Sequence, residues 1–109
     1  MAHGPASPRG YWVARVDVID PQGYQAYVTA DAAAFTKFGG RFLVRAGRFE
    51  TLEGTSRSRN IVIEFADLAT ALACYHSPEY QQAAALRRGK ATFDLIIIEG
   101  YVGRQPADA

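Results

Sequence analysis

Apolar runs in this chain of 109 residues come in the order strand, helix, strand, strand, helix, strand. That order predicts an α+β fold of the ferredoxin-like βαββαβ kind, a sandwich of one four-stranded antiparallel sheet with two helices on one face. Helix caps followed by proline, and glycines placed to stop each helix, punctuate the runs. A further observation concerns the faces of the strands. In Tyr11 to Val18 one parity reads Trp12, Ala14, Val16, Val18 and the other Tyr11, Val13, Arg15, Asp17. One helical layer covers one sheet face, so the second face, read as Val13, Leu43, Val62, Leu95 and Ile97, predicts a partner chain, and two copies closing face to face would bury it.

Each element has its own signal. Asp20-Pro21 is a cap followed by proline at the first helical position, and Gly39-Gly40 stops the helix after Phe38. The second strand runs from Arg41 through Ala46, with Gly47 marking a bulge before Arg48 to Glu53 continues along an edge. Gly54 to Arg59 reads as a solvated turn and Asn60 to Phe65 as the third strand. Asp67 caps a short helix to about Tyr75; Ser77-Pro78 restarts it at a different angle and carries it to Arg88 before Gly89. The last strand is Phe93 to Tyr101, whose run Leu95-Ile96-Ile97-Ile98 is apolar on both sides. With alternation carried through, the helix side takes Trp12, Ala14, Val16, Val18, Phe42, Val44, Ala46, Ile61, Ile63, Phe65, Ile96 and Ile98. Burying half of these at about 1.5 to 3 kcal/mol each supplies most of the drive to fold.

Length and composition bound the function. One domain over residues 10–102 is expected, with flexible tails at 1–9, which lacks the apolar core of a signal peptide, and at 103–109. A net charge of +1, spread over interspersed side chains, gives no basis for a nucleic-acid partner. On its open face strand three also offers Asn60, Val62 and Glu64, not the aromatics with which the same strand order reads RNA. No apolar stretch approaches the ~20 residues of a membrane span. The single cysteine, Cys74, cannot close an intramolecular disulfide, so a cytoplasmic setting is expected.

Several stretches resemble an uncharacterised family, domain of unknown function 1330, within the dimeric α+β barrel superfamily. They are Gly10-Tyr11-Trp12, Phe38 to Arg45 with Gly47, Glu53-Gly54, Ile61 to Phe65, Tyr75 with Ser77-Pro78-Glu79-Tyr80, and Ile97-Ile98-Glu99-Gly100. The resemblance implies a homodimer whose two sheets form a barrel. It brings no catalytic residues to carry over, although the wider superfamily includes cofactor-free monooxygenases, isomerases and haem enzymes.

Two places offer chemistry. On helix one, Tyr24, Tyr27, Val28, Phe35 and Phe38 share a stripe and Asp31 lies inside it; on helix two, Arg87 falls among Tyr80, Ala83 and Ala84. A carboxylate among aromatics is costly unless paired, hydrogen-bonded or protonated. Asp31 therefore either meets Arg87 or lines a pocket as base or acceptor, with Tyr24 and Tyr27 as neighbours. On the second sheet face Arg15, Asp17, Arg41, Arg45, Glu64 and Glu99 project among aliphatics, as pairs that set the register of a dimer or as an anion site on Arg15 and Arg45. The only histidines, His3 and His76, argue against a metal or haem site, and no phosphate-cradling loop is present, so no cofactor is expected. The readings that remain are a pocket for a small aromatic or anionic molecule, a cofactor-independent monooxygenase or isomerase, and a non-catalytic interaction module.

Overall fold

The computed structural model describes residues 7–108 and has the expected order: β1 (Gly10–Val18), α1 (Pro21–Phe38), β2 (Arg41–Arg45), β3 (Arg59–Phe65), α2 (Leu68–His76), α3 (Pro78–Arg87) and β4 (Ala91–Glu99). The strands form one antiparallel sheet in the order β2-β3-β1-β4 with the helices packed against one face, the ferredoxin-like arrangement. Three helices replace the expected two, because Ser77 leaves helical geometry (φ −67°, ψ 150°) and its hydroxyl accepts from the Tyr80 N–H at 3.1 Å, capping α3 as a separate element. Of the tail expected over 1–9, residues 1–6 lie outside the described residues, as does residue 109. Pro106–Asp108 forms a 3₁₀ turn.

The caps behave as their chemistry requires. The Asp20 carboxylate accepts from the N–H groups of Gln22 and Gly23, and Gly39 closes α1 in the left-handed conformation at φ 71°. Asp67 accepts from the Thr70 N–H at 2.7 Å at the start of α2. Gly10 is buried where β1 passes under that turn, and a methyl group there would overlap the Asp67 carbonyl. The core centres on Trp12, whose ring meets Tyr80, Phe35 and Phe65 at centroid distances of 4.8, 5.1 and 5.7 Å. Its indole N–H donates to the Ala71 carbonyl at 2.9 Å, so its one polar atom is satisfied inside the core.

Two strands present different faces from those expected. In β2, Phe42 pairs with Ile63 but Val44 pairs with Val62, so Leu43 is the extra residue of a bulge, upstream of the expected one at Gly47. The bulge reverses parity beyond it: Val44 turns to the open face and Arg45 to the helix side, opposite Ile61. Ala46, just past the strand, holds a left-handed φ of 55° while its N–H bonds to the Asn60 carbonyl. Arg48 to Glu53 does not continue the sheet edge; residues 46–58 form a loop.

In β4, Ile97, Leu95 and Phe93 pair with Trp12, Ala14 and Val16 and so lie on the helix side, while Ile96 and Ile98 pair with Val13 and Tyr11 on the open face. Glu99 pairs with Gly10 and belongs to the helix-side parity, not to the open face. An unbroken apolar run has no alternation to set its register. Here the register follows from the Lys90 carbonyl, which accepts from the N–H groups of Ile19 and Asp20 and ties the start of β4 to the end of β1.

Candidate functional site

One turn beyond Tyr27 on α1, Asp31 turns beneath the helix with a residue exposure of 6%. It lines a cavity of about 320 Å³ between α1 and the β2–β3 end of the sheet. Tyr24, Gln25 and Val28 of α1 form one wall, Phe42 and Arg45 of β2 with Arg59 and Ile61 of β3 the other, and Val18 and Pro21 the end. A second void of about 30 Å³ continues under Asp31 among Trp12, Tyr27, Phe35 and Phe93, room for about one water.

Among the described residues the Asp31 carboxylate makes no hydrogen bond and no ion pair. Burial pushes its pKa up to about 7, against the pull of the Arg45 guanidinium. The carboxyl therefore exchanges its proton near neutrality, as a general acid or base must. The two arginines of the wall have no carboxylate partner either. Arg45 stacks on Phe42 at 4.1 Å and Arg59 lies over the Tyr24 ring at 5.5 Å. Burial raises the Tyr24 phenol pKa, with Arg59 pulling the other way.

Arg87 does not meet Asp31. It lies over Phe93 at 3.9 Å on the β4 side and donates from Nη2 to the Tyr80 hydroxyl at 3.4 Å. That hydroxyl is 2.9 Å from the Tyr27 hydroxyl. Burial drives the pKa of Tyr27 well above the ordinary phenol value and raises that of Tyr80, so both stay protonated. Of the five pocket residues expected from sequence, Asp31 and Tyr24 share the cavity. Tyr27 reaches only the small void, while Tyr80 is buried beside it and hydrogen-bonded to the half-buried Arg87. A separate groove of about 510 Å³ opens from Arg87 along Phe93, Leu95 and Ile97.

On the open face, Arg15, Asp17, Arg41 and Glu64 stand where expected, whereas Arg45 and Glu99 do not. The pairs formed there involve residues that sequence reasoning missed. Arg57 bridges Asp17 at 2.8 Å and Asp94 at 2.6 Å, Arg15 sits 3.6 Å from Asp94, and the Tyr11 hydroxyl donates to Glu64 at 3.1 Å. Arg57 lies in the turn read as solvated, and nothing in its spacing signals the clamp. Arg59 could have been found, since it shares its parity with Ile61 and Ile63. Cys74 is fully buried with its thiol pushed up to about 12, which rules it out as a nucleophile near neutrality. Among the described residues no group of three or more His, Cys, Asp or Glu side chains could hold a metal ion, and no helix is long and apolar enough to cross a membrane.

The family described as Domain of unknown function (DUF1330) matches residues 9–101. The chain belongs to that family. No curated protein matches it. Among solved structures, a protein of unknown function from Rhodopseudomonas palustris is 19% identical over 92% of this chain and 85% of its own, with a TM-score of 0.70. SnoaB from Streptomyces nogalater, described as a cofactor-independent oxygenase, is 18% identical over 91% of this chain and 96% of its own, with a TM-score of 0.58. A conserved protein from Bacteroides thetaiotaomicron, described as a possible oxidoreductase, is 16% identical over 86% and 98%, with a TM-score of 0.52. At these identities the likeness is one of fold, and this member of the DUF1330 family shares its α+β architecture with proteins of differing description.

Proposed function

We propose that the protein is a homodimer that takes a small organic molecule into the cavity beneath α1, with Asp31 as the proton-handling group. The observation that carries the reading is a carboxyl that is nearly buried, unpaired and open to a cavity of about 320 Å³. A buried carboxylate kept only for stability would be paired, and this one faces space instead. The cavity lies at the low end of the volumes that hold ligands, and its walls mix aromatic rings with guanidinium groups, which suits an aromatic or anionic molecule. Proton transfer by a carboxyl requires no cofactor, and the fold likeness to SnoaB favours an enzyme over a passive carrier.

Ligand-induced thermal shifts test this. Molecules selected by the shift they produce in the native protein should lose it in Asp31→Ala while the dimer persists. Shifts unchanged by that substitution remove Asp31 from the site.

The open face supports the dimer. Ile96 and Ile98 are 58% and 49% exposed, beside Val13, Val44 and Val62, and the surrounding charges are of both signs. A surface that is apolar at its centre and carries both signs around it is self-complementary across a two-fold axis. Ile96→Glu places a carboxylate at that centre and should yield a monomer or aggregate in sedimentation. An unaltered dimer would refute the face-to-face arrangement.

A further inference from the structure

We infer that the cavity catalyses keto–enol interconversion of small oxo acids, with Arg45 and Arg59 holding the substrate carboxylate and Asp31 moving the proton. The inference rests on the ligand-pocket reading above and adds a substrate class and a reaction to it.

The substrate class comes from the charges. Two guanidinium groups face the cavity from adjacent strands, and neither forms an ion pair among the described residues. Elsewhere in the fold, Arg15 and Arg57 both sit against aspartates. The only carboxyl in the cavity wall is Asp31, which touches neither arginine and is uncharged for much of the time near neutrality. The surplus is positive, and guanidinium forks match a carboxylate in both charge and geometry. The volume limits the rest of the ligand. About 320 Å³ flanked by Tyr24 and Phe42 admits one planar ring or a short chain, not a fused polycycle.

The reaction follows from what Asp31 can do without help. As carboxylate it removes a proton from the carbon beside the substrate carbonyl. The C–H electron pair forms a C=C bond as the C=O pair moves onto oxygen, giving an enolate whose new charge is stabilised by the arginines. The Asp31 carboxyl then gives its proton to that oxygen, producing the enol, whose O–H exchanges with solvent through the open side of the cavity; the reverse sequence yields the ketone with a solvent-derived hydrogen on carbon. Atoms and electrons balance with no oxidant or second reactant. The small void beneath Asp31 has room for about one water, so the base is screened from bulk solvent on its inner side.

Deuterium exchange at C3 of pyruvate and of phenylpyruvate in D2O, followed by proton NMR, tests the inference on the full chain. The native protein should accelerate exchange by at least ~10² over buffer. Asp31→Asn should fall to the buffer rate while still binding phenylpyruvate. Arg45→Met and Arg59→Met, both at exposed positions, should each raise KM about tenfold with a smaller change in kcat. Binding of either acid without accelerated exchange would overturn the reaction and leave the pocket reading standing. Phenylpyruvate binding no tighter than uncharged phenylacetone, and indifferent to the arginine substitutions, would overturn the carboxylate recognition. If neither the acids nor phenylacetone bind, the inference and the pocket reading fail together.

Discussion

Removing the charge of Asp31 should make the protein more stable, an effect opposite to that of most substitutions at buried positions. The folded chain holds the Asp31 proton to about 7, while the ordinary value of 3.8 applies once the chain unfolds. The folded state therefore binds the proton more tightly, and ionisation favours unfolding. Below about pH 4 both states are protonated and the penalty is absent; it grows as pH rises toward 7 and is complete above that. At about 1.4 kcal/mol per tenfold change in acidity the whole difference approaches ~4 kcal/mol, and about 2 kcal/mol is expected once water in the cavity screens the charge. Asp31→Asn keeps the shape and removes the ionisation. Thermal unfolding followed by circular dichroism should therefore show the variant about 10 °C more stable than the native protein at pH 8. The gap should close near pH 4. A variant equally destabilised at both pH values would refute the reasoning, because it would show that the carboxylate is satisfied by contacts rather than strained by burial. A stability gain coupled to loss of proton-transfer activity is the pattern expected where a site holds a group for its chemistry.

Other outcomes follow from the packing. Gly10→Ala drives a methyl group into the Asp67 carbonyl and should cost about 1–3 kcal/mol in urea unfolding, with full stability in the variant contradicting the close approach. Tyr80→Phe removes the shared partner of the Tyr27 hydroxyl and the Arg87 guanidinium, and should cost about 1–3 kcal/mol. A loss within error would mean that neither group depends on the Tyr80 hydroxyl. Cys74 should resist thiol reagents at pH 8 until denaturant is added, since its thiol is buried and pushed up to about 12; rapid labelling of the native protein would show that α2 opens readily.

Much of the fold was legible because its signals are local. Asp20-Pro21, Asp67 and Ser77-Pro78 start helices through hydrogen bonds made within a few residues, and Gly39 ends one through its own backbone freedom. Strand faces depend on pairing partners distant in the chain, and there the reading failed where the pattern was mute. Leu95 to Ile98 is apolar at every position, so only the tie between Lys90 and the Ile19–Asp20 backbone decides which residues meet the helices. The Leu43 bulge inserts a residue without any glycine to announce it. Asp31 was visible as a carboxyl on an aromatic stripe, because helical periodicity survives without tertiary information. Tyr24 is visible with it, but the arginines of the opposite wall are not, since strict alternation puts Arg45 on the other face. Helical position alone makes Arg87 a candidate partner, yet it lies over the Phe93 ring and against the Tyr80 hydroxyl, toward the β4 edge of the same face.

The kink in β2 acts as a selector for the cation at its far end, Arg45. With Leu43 looped out of the pairing, the guanidinium of Arg45 serves the compartment under the helix; were the same five residues pleated without the bulge, that group would pass to the opposite surface and a valine would take its place. The lining of the cavity and the make-up of the open face are thus linked through the path of the backbone at a single residue. Flattening the bulge with every residue of β2 kept would exchange the two, whereas shortening the strand by Leu43 alone would leave both as they are.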